Sequence, residues 1–201
     1  MALITAAEAR EHLHITGTDE DALLTILIGV AGEAMARFCR YPAASAGAAP
    51  TMESTSYTQR IDGPGGRDLT FPVWPLTAIS SIYDDPTLDY SDAAYLVASG
   101  DYAIIDGSEG LIRLSSTSSW GNWSTGIQHI EVQATAGYAT PREDLKYACR
   151  VAVRKLWDLR STQGKESVSQ RGTSTTYNDP AWLPIETQVA LWGYVLPVGL
   201  I

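Results

Sequence analysis

The length, composition and charge of the chain exclude several classes of protein. Its 201 residues are 45% hydrophobic and 18% charged, which is typical of one globular domain, or of one domain with a large insertion, and not of a disordered chain. Two cysteines are too few for a disulfide framework and favour a reducing compartment, no segment approaches the ~18 apolar residues of a membrane span, and the net charge of −9 argues against a general nucleic-acid binder.

Two helices are predicted at the start of the chain. A capping-box pattern at Thr5 and Glu8 opens a helix over residues 5–13. A second, longer helix is predicted over residues 18–40. It ends near residue 40, because Pro42 disfavours a helical conformation at the residue before it. Apolar residues recur along the second helix at spacings of three and four, and a further apolar set lies beside them. We therefore expect this helix to be covered on more than one side.

From residue 57 to residue 138 the pattern changes to short strands separated by turns rich in Gly, Pro, Asp and Ser. Strands are predicted at residues 57–62, 68–71, 79–83, 102–105, 111–114 and 127–134. The glycine-rich segment 63–66 predicts a hairpin between the first two strands, and residues 106–110 supply a turn between the fourth and the fifth. Together they predict an antiparallel β insert of roughly 80 residues.

A third helix and a tail follow the β insert. Thr140 is predicted as the N-cap, Pro141 as the first helical residue and Glu143 as the capping-box acid of a helix that ends near Arg160. The polar segment 161–177 is expected to be mobile. The predicted fold class is α+β: a small bundle of three main helices with a large antiparallel β insert and an extended C-terminal tail.

These elements divide the chain into three parts. Residues 1–42 and 139–161 form the predicted helical core, and residues 57–138 form the β insert. Residues 162–201 form a polar linker followed by an apolar C-terminal tail.

The sequence contains no recognisable catalytic or metal-binding motif. The three histidines have no metal-ligand spacing, and the Gly-x-Ser-x-Gly pattern of many hydrolases is absent, so we predict no catalytic residue, no metal and no cofactor. Asp84 and Asp85 precede a proline and are expected in a solvated loop rather than as an acid/base pair. Cys39 and Cys149 lie on apolar helix faces and are expected to be buried small hydrophobes.

The basic residues are clustered. Eight of the 14 lie between residues 142 and 171, and Lys146, Arg150 and Arg154 follow one another at four-residue spacing on one face of the third helix. This basic face has three interpretations that the sequence leaves open. It is a solvated helix face, a contact with an acidic surface of a neighbouring subunit, or a surface near nucleic acid that makes non-specific contacts only.

Two further sets of residues are candidates for contact with a partner. Trp120 and Trp123 lie in a Ser-rich loop of the β insert and could stack on a sugar or a partner, although burial under the loop is favoured because Trp is highly buried on average. The apolar tail either docks on a partner or packs back on its own domain. Its candidate docking residues are Trp182, Leu183, Ile185, Val189, Leu191, Trp192, Tyr194, Val195, Leu196 and Ile201.

The order of several short motifs resembles a known family. The motifs are Ile4-Thr5-x-x-Glu8-Ala9, Asp19-Glu20-Asp21, Leu69-x-Phe71-Pro72-x-x-Pro75-Leu76 and Ala136-Gly137-Tyr138-x-x-Pro141. Their order and spacing, over residues 3–160, resemble the head–tail connector family of tailed bacteriophages and gene-transfer particles, whose members are also called adaptor or head-completion proteins.

The resemblance implies a structural virion protein of the neck, between head and tail, that is assembled in the host cytoplasm and is not an enzyme. Such proteins form a ring, commonly of twelve copies, that docks under the portal protein and extends the channel for the packaged double-stranded DNA. The next neck protein, a stopper or a tail terminator, then docks on the ring.

The resemblance also implies roles for the candidate residues. The tail would reach onto the portal protein, and the basic face would look onto the lumen or onto a seam between subunits. Two alternatives stay open: another neck protein, such as a stopper or tail-completion protein, or a β-rich module that binds carbohydrate or protein. No membrane contact is expected in either case.

Overall fold

The protein has the mixed α+β fold that the sequence predicts. A computed structural model describes residues 3–45, 47–162, 167–170, 173–176 and 183–197. The chain divides into two compact units, a helical unit of Met1–Cys39 with Pro141–Val195 and a β unit of Arg40–Thr140 with Leu196–Ile201. Within the described residues, none of the helices combines the length and the apolar character needed to cross a membrane.

The helical unit contains four α-helices within the described residues. They are α1 (Ala6–Leu13), α2 (Asp21–Phe38), α3 (Glu143–Thr162) and α4 (Ile185–Leu191). The predicted capping box of α1 is confirmed, since the Thr5 amide donates to Glu8 Oε2 at 2.7 Å and the Glu8 amide donates to Thr5 Oγ1 at 3.2 Å. The third helix begins two residues later than predicted, at Glu143, because the Arg142 carbonyl accepts the helical bond from the Lys146 amide at 3.0 Å.

Helices α1, α2 and α3 pack against one another, and α4 packs on α3. Leu24, Ile28, Ala31 and Met35 of α2 are fully buried in this packing. On the outer face of α2, however, Ile26 and Val30 are 62% and 46% exposed. Helix α2 thus has neighbours in α1, α3 and α4, but the side that carries Ile26 and Val30 is not covered in the single chain.

The β unit contains two three-stranded antiparallel sheets. Its strands are β1 (Thr55–Pro64), β2 (Asp68–Thr70), β3 (Leu76–Asp84), β4 (Tyr102–Asp106), β5 (Leu111–Leu114) and β6 (Thr125–Ala136). One sheet has the order β1-β6-β3 and the other has the order β2-β5-β4. The turn predicted between the fourth and fifth strands is confirmed, because β4 pairs with β5 in antiparallel register.

The hairpin predicted between the first two strands is wrong, because β1 pairs with β6 and β2 pairs with β5. Gly63 does not turn the chain but continues β1, where it lies opposite Gly126 of β6. A Cβ atom at Gly63 would overlap the backbone carbonyl of Ser124. This glycine therefore permits a close approach of backbones rather than a hairpin turn.

The polar segment predicted to be mobile contains two strands. β7 (Ser167–Gln170) pairs with β8 (Thr173–Thr176) in antiparallel register. Thr and Val are enriched in strands because their branched side chains suit a pleated surface, and the polarity of the segment concealed this propensity.

Candidate assembly surfaces

An apolar stripe covers the outer face of α4 and the start of the 3₁₀ turn, Trp192–Tyr194, that follows it. Ile185, Val189 and Trp192 follow one another at spacings of four and three, and their exposed fractions are 70%, 66% and 74%. Side chains at this spacing lie on one side of a helix. We call these three residues the α4 stripe.

The opposite face of α4 is buried in the helical unit. The Thr187 hydroxyl donates to the Ala148 carbonyl of α3 at 3.2 Å, and Leu191 is completely buried. The Tyr194 hydroxyl donates to the Asp144 carboxylate at 2.5 Å. Burial acts to raise the pKa of Asp144, but hydrogen bonds, first that of Tyr194, hold it below its usual range. The helix is thus fixed on the bundle from both ends.

The predicted docking residues of the tail are therefore divided between two environments. Leu183, Leu191, Tyr194 and Leu196 are buried, Val195 is half-buried, and the α4 stripe is exposed. Trp182 and Ile201 lie outside the described residues. A helix in this segment was not predicted, because its buried and exposed apolar residues together look uniformly apolar in sequence.

The basic face of α3 is largely occupied by carboxylates of the same unit. Lys146 Nζ lies 3.0 Å from Glu143 Oε1 and 3.7 Å from Glu8 Oε1, and Arg150 lies 3.3 Å from the same Glu8 atom. The side chains of Lys146 and Arg150 are only 23% and 26% exposed, whereas that of Arg154 is 59% exposed. Of the three predicted residues, Arg154 is the one that remains largely accessible.

The surroundings of α1 and α3 shift the pKa values of two side chains of α1. The hydrogen bond from the Thr5 amide holds the pKa of Glu8 below its usual range, with help from Lys146 and Arg150 and against the effect of burial. Burial, followed by the positive charges of Arg154 and Arg150, lowers the pKa of His12. The interface of α1 and α3 therefore favours an ionised Glu8 and a neutral His12.

An open groove of about 680 Å³ runs between α3 and α4. Val151, Leu183, Pro184 and Ile185 contribute apolar surface to it. Its charged lining residues are Arg154, Lys155, Asp158 and Glu186, and Gln188 completes it. Arg154 lies 3.9 Å from Asp158, which is a long separation for an ion pair. The groove can therefore hold an apolar side chain that has a charged neighbour.

The two candidate aromatics of the β unit are in different environments. Trp123 is 2% exposed, and its indole nitrogen donates to the Arg67 carbonyl at 3.0 Å. Trp120 is half-buried. Trp123 thus belongs to the core, as the sequence favoured, and the structure does not present the two rings as a pair for stacking on a sugar.

Asp84 and Asp85 are not in a solvated loop, because both are almost completely buried. Asp84 accepts hydrogen bonds from the amide, at 2.9 Å, and the hydroxyl of Ser124. His129 Nδ1 lies 3.3 Å from the same hydroxyl oxygen. This is not a catalytic triad, because the Asp84 carboxylate binds the serine instead of orienting the imidazole. The cluster of Asp84, Ser124 and His129 was not predicted from the sequence. Gly126 is the one local sign of it, because a Cβ atom at this position would overlap the His129 ring.

Asp85 shapes the loop that follows it. Its carboxylate accepts from the amides of Thr87 at 2.7 Å, Asp89 at 3.2 Å and Tyr90 at 2.9 Å. Burial acts to raise the pKa of Asp85, but the hydrogen bond from the Thr87 hydroxyl, at 2.6 Å, and then those from the amides hold it below its usual range. Leu88, between Thr87 and Asp89, has a φ of 64° and is 49% exposed. The aspartate thus holds a bulky residue in the left-handed region, with its side chain toward solvent.

The described residues contain no cluster of three or more side chains that could hold a metal ion. Cys39 and Cys149 are both buried, as predicted, and burial raises the pKa of Cys39 to about 12. A thiol with such a pKa is not a nucleophile near neutral pH.

The profile of the head completion protein family matches residues 2–191. The chain belongs to the head completion protein family. This head completion protein is therefore a structural component of the virion neck, between head and tail, as the sequence predicted.

A chain of one solved structure shares the fold of this head completion protein. The chain is similar to one in a structure described as "Neck of empty GTA particle computed with C6 symmetry", with a TM-score of 0.59 and 16% identity over 99% of this chain and 94% of that chain. A likeness at this identity shows a shared fold. A search of curated proteins found no match.

Proposed function

We propose that this head completion protein is the adaptor of the neck. It forms a ring, with twelve copies expected, that docks under the portal protein, extends the DNA channel and carries the next neck protein. Family membership supports a place at the head–tail junction, and the likeness to a chain from a neck computed with six-fold symmetry supports repeated copies. DNA passes through the lumen with non-specific contacts only.

The α4 stripe is the observation that carries the proposal. Three large apolar side chains are exposed side by side, while Thr187 and Leu191 of the same helix are buried. Contiguous exposed apolar surface marks protein interfaces, and Trp is enriched among the residues that dominate binding energy. Because α4 is already held on the bundle, docking would not require the ordering of this helix. We assign the stripe to the portal protein.

The test is the native mass of the chain mixed with a portal ring from the same particle. We expect the unaltered chain to bind at about one copy per portal subunit, and the stripe variant Val189→Ser, Trp192→Ser, which leaves Ile185 of the groove in place, to give no complex. The matched control is Ile105→Ser with Ile127→Ser, since these side chains are 53% and 78% exposed in the β unit. Unaltered helix content by circular dichroism establishes that the variants fold.

Portal binding by the stripe variant at the level of the unaltered chain would overturn this assignment. A chain that binds other neck proteins but not the portal would instead be a stopper or tail-completion protein. Truncation before residue 183 is a poor test, because it also removes the buried side chains of Leu191 and Tyr194 from the helical unit.

A further inference from the structure

We propose that the loop of residues 86–89 in one copy inserts into the groove between α3 and α4 of the neighbouring copy. The inference rests on the proposed function, because it concerns the contact that joins copies in the ring. It assigns the Leu88 side chain to the apolar part of the groove and the Asp89 carboxylate to Arg154.

The groove offers an apolar surface beside an accessible cation. Lys146 and Arg150 are occupied by Glu8, but among the described residues the Arg154 guanidinium makes one ion pair, the long contact of 3.9 Å with Asp158. Asp158 and Glu186 also line the groove, so an entering carboxylate is favoured near Arg154 and disfavoured near these two acids. An apolar side chain with a carboxylate directly beside it fits this arrangement.

The loop presents that combination in a fixed shape. Leu88 is 49% exposed, and the Asp89 carboxylate makes no hydrogen bond or ion pair with any residue that the structure describes. The buried Asp85 binds the amides of Thr87 and Asp89 and so sets the conformation before any partner arrives. A preformed loop loses little conformational entropy on binding.

The other exposed apolar side chains of the β unit lack a free carboxylate beside them within the described residues. Ile105 precedes Asp106, but that carboxylate accepts from both the amide and the hydroxyl of Ser108. Ile127 precedes Gln128, and Leu96 lies between Tyr95 and Val97. Leu88 is therefore the candidate that matches both features of the groove.

The charge distribution favours a contact between two different surfaces of the chain. Residues 40–140 contain eleven acidic and four basic residues, whereas residues 142–171 contain eight of the 14 basic residues. Opposite potentials favour association and fix register. Contacts between two different surfaces of identical subunits are heterologous, and such contacts generate rings when the rotation closes.

A cross-link between two separately altered chains tests the proposal. One chain carries Leu88→Cys, the other carries Glu186→Cys, and the two are mixed with the portal ring and treated with a short bismaleimide. The native cysteines are buried and do not compete. We expect a covalent dimer from this mixture and none from the matched mixture of Ile105→Cys with Glu186→Cys. A dimer from two separately altered chains can only be a contact between copies.

A charge reversal gives a second, independent test. Asp89→Arg and Arg154→Asp should each weaken ring formation on the portal by about tenfold, and the double variant should regain most of the loss. A ring that is complete by native mass but gives no dimer above the Ile105→Cys control, with no rescue in the double variant, overturns the inference and leaves the adaptor role intact. If the unaltered chain forms no ring on the portal, the proposed function fails first, and this inference fails with it.

Discussion

Replacing Glu8 by Gln should loosen the contact between α1 and α3. Gln retains a side-chain oxygen that can complete the capping box with Thr5, so the change isolates the loss of charge. The lost interactions are the ion pairs with Lys146 at 3.7 Å and Arg150 at 3.3 Å. A partly exposed pair contributes roughly 0.2–1 kcal/mol, and the two cations lose their shared partner. We expect a destabilisation of about 1–2 kcal/mol.

Thermal unfolding by differential scanning calorimetry measures this change. For a chain of this size, ~1 kcal/mol corresponds to about 2–4 °C in Tm, so Glu8→Gln should lower Tm by about 2–8 °C at pH 7. Because the pKa of Glu8 is depressed in the folded state, chiefly by the hydrogen bond from the Thr5 amide, its contribution is complete above the unfolded pKa. It is lost as the pH falls through the folded pKa, where unaltered and variant chains should converge.

The matched control is Glu11→Gln on the same helix. Glu11 is exposed, and its carboxylate makes no hydrogen bond or ion pair with a described residue, so this variant should leave Tm unchanged. Equal Tm values for the Glu8 and Glu11 variants at pH 7 would refute the reasoning. A Tm difference between the unaltered chain and the Glu8 variant that persists undiminished well below the folded pKa would refute it as well.

Three further predictions concern buried groups. Leu191→Ala should cost ~2–5 kcal/mol, because it leaves a cavity under α4, and limited proteolysis should then cut near α4 much faster. Trp123→Phe should cost about 0.5–1.5 kcal/mol in urea unfolding, because the Arg67 carbonyl loses its indole donor but keeps the amide of Leu114; an unchanged urea midpoint would contradict this. Cys39 and Cys149 should not react with a thiol reagent at pH 8 until the chain is unfolded, since both are buried and the pKa of Cys39 is about 12.

Contacts between distant segments were not predictable from the sequence. The carboxylate that occupies the basic face belongs to Glu8, which is 142 residues before Arg150. The buried Asp84 carboxylate accepts a hydrogen bond from Ser124, 40 residues later. No local pattern specifies such a pair, because the partners meet only when the units fold. The strands β7 and β8 were not predicted for another reason, since the polarity of their segment concealed the strand propensity of Thr and Val.

The sequence by itself determined the local elements and the family. Local patterns act over a few residues, so they can be recognised without knowledge of the fold. They are the capping box of Thr5 and Glu8, the helical spacing along α2 and α3, and the alternation of the strands. The tertiary structure alone decided which strands pair and which apolar residues are buried. Leu191 and Trp192 are adjacent in the chain, yet one is fully buried and the other is 74% exposed. The reason is that burial depends on which face of α4 contacts α3, and packing against residues distant in sequence decides this.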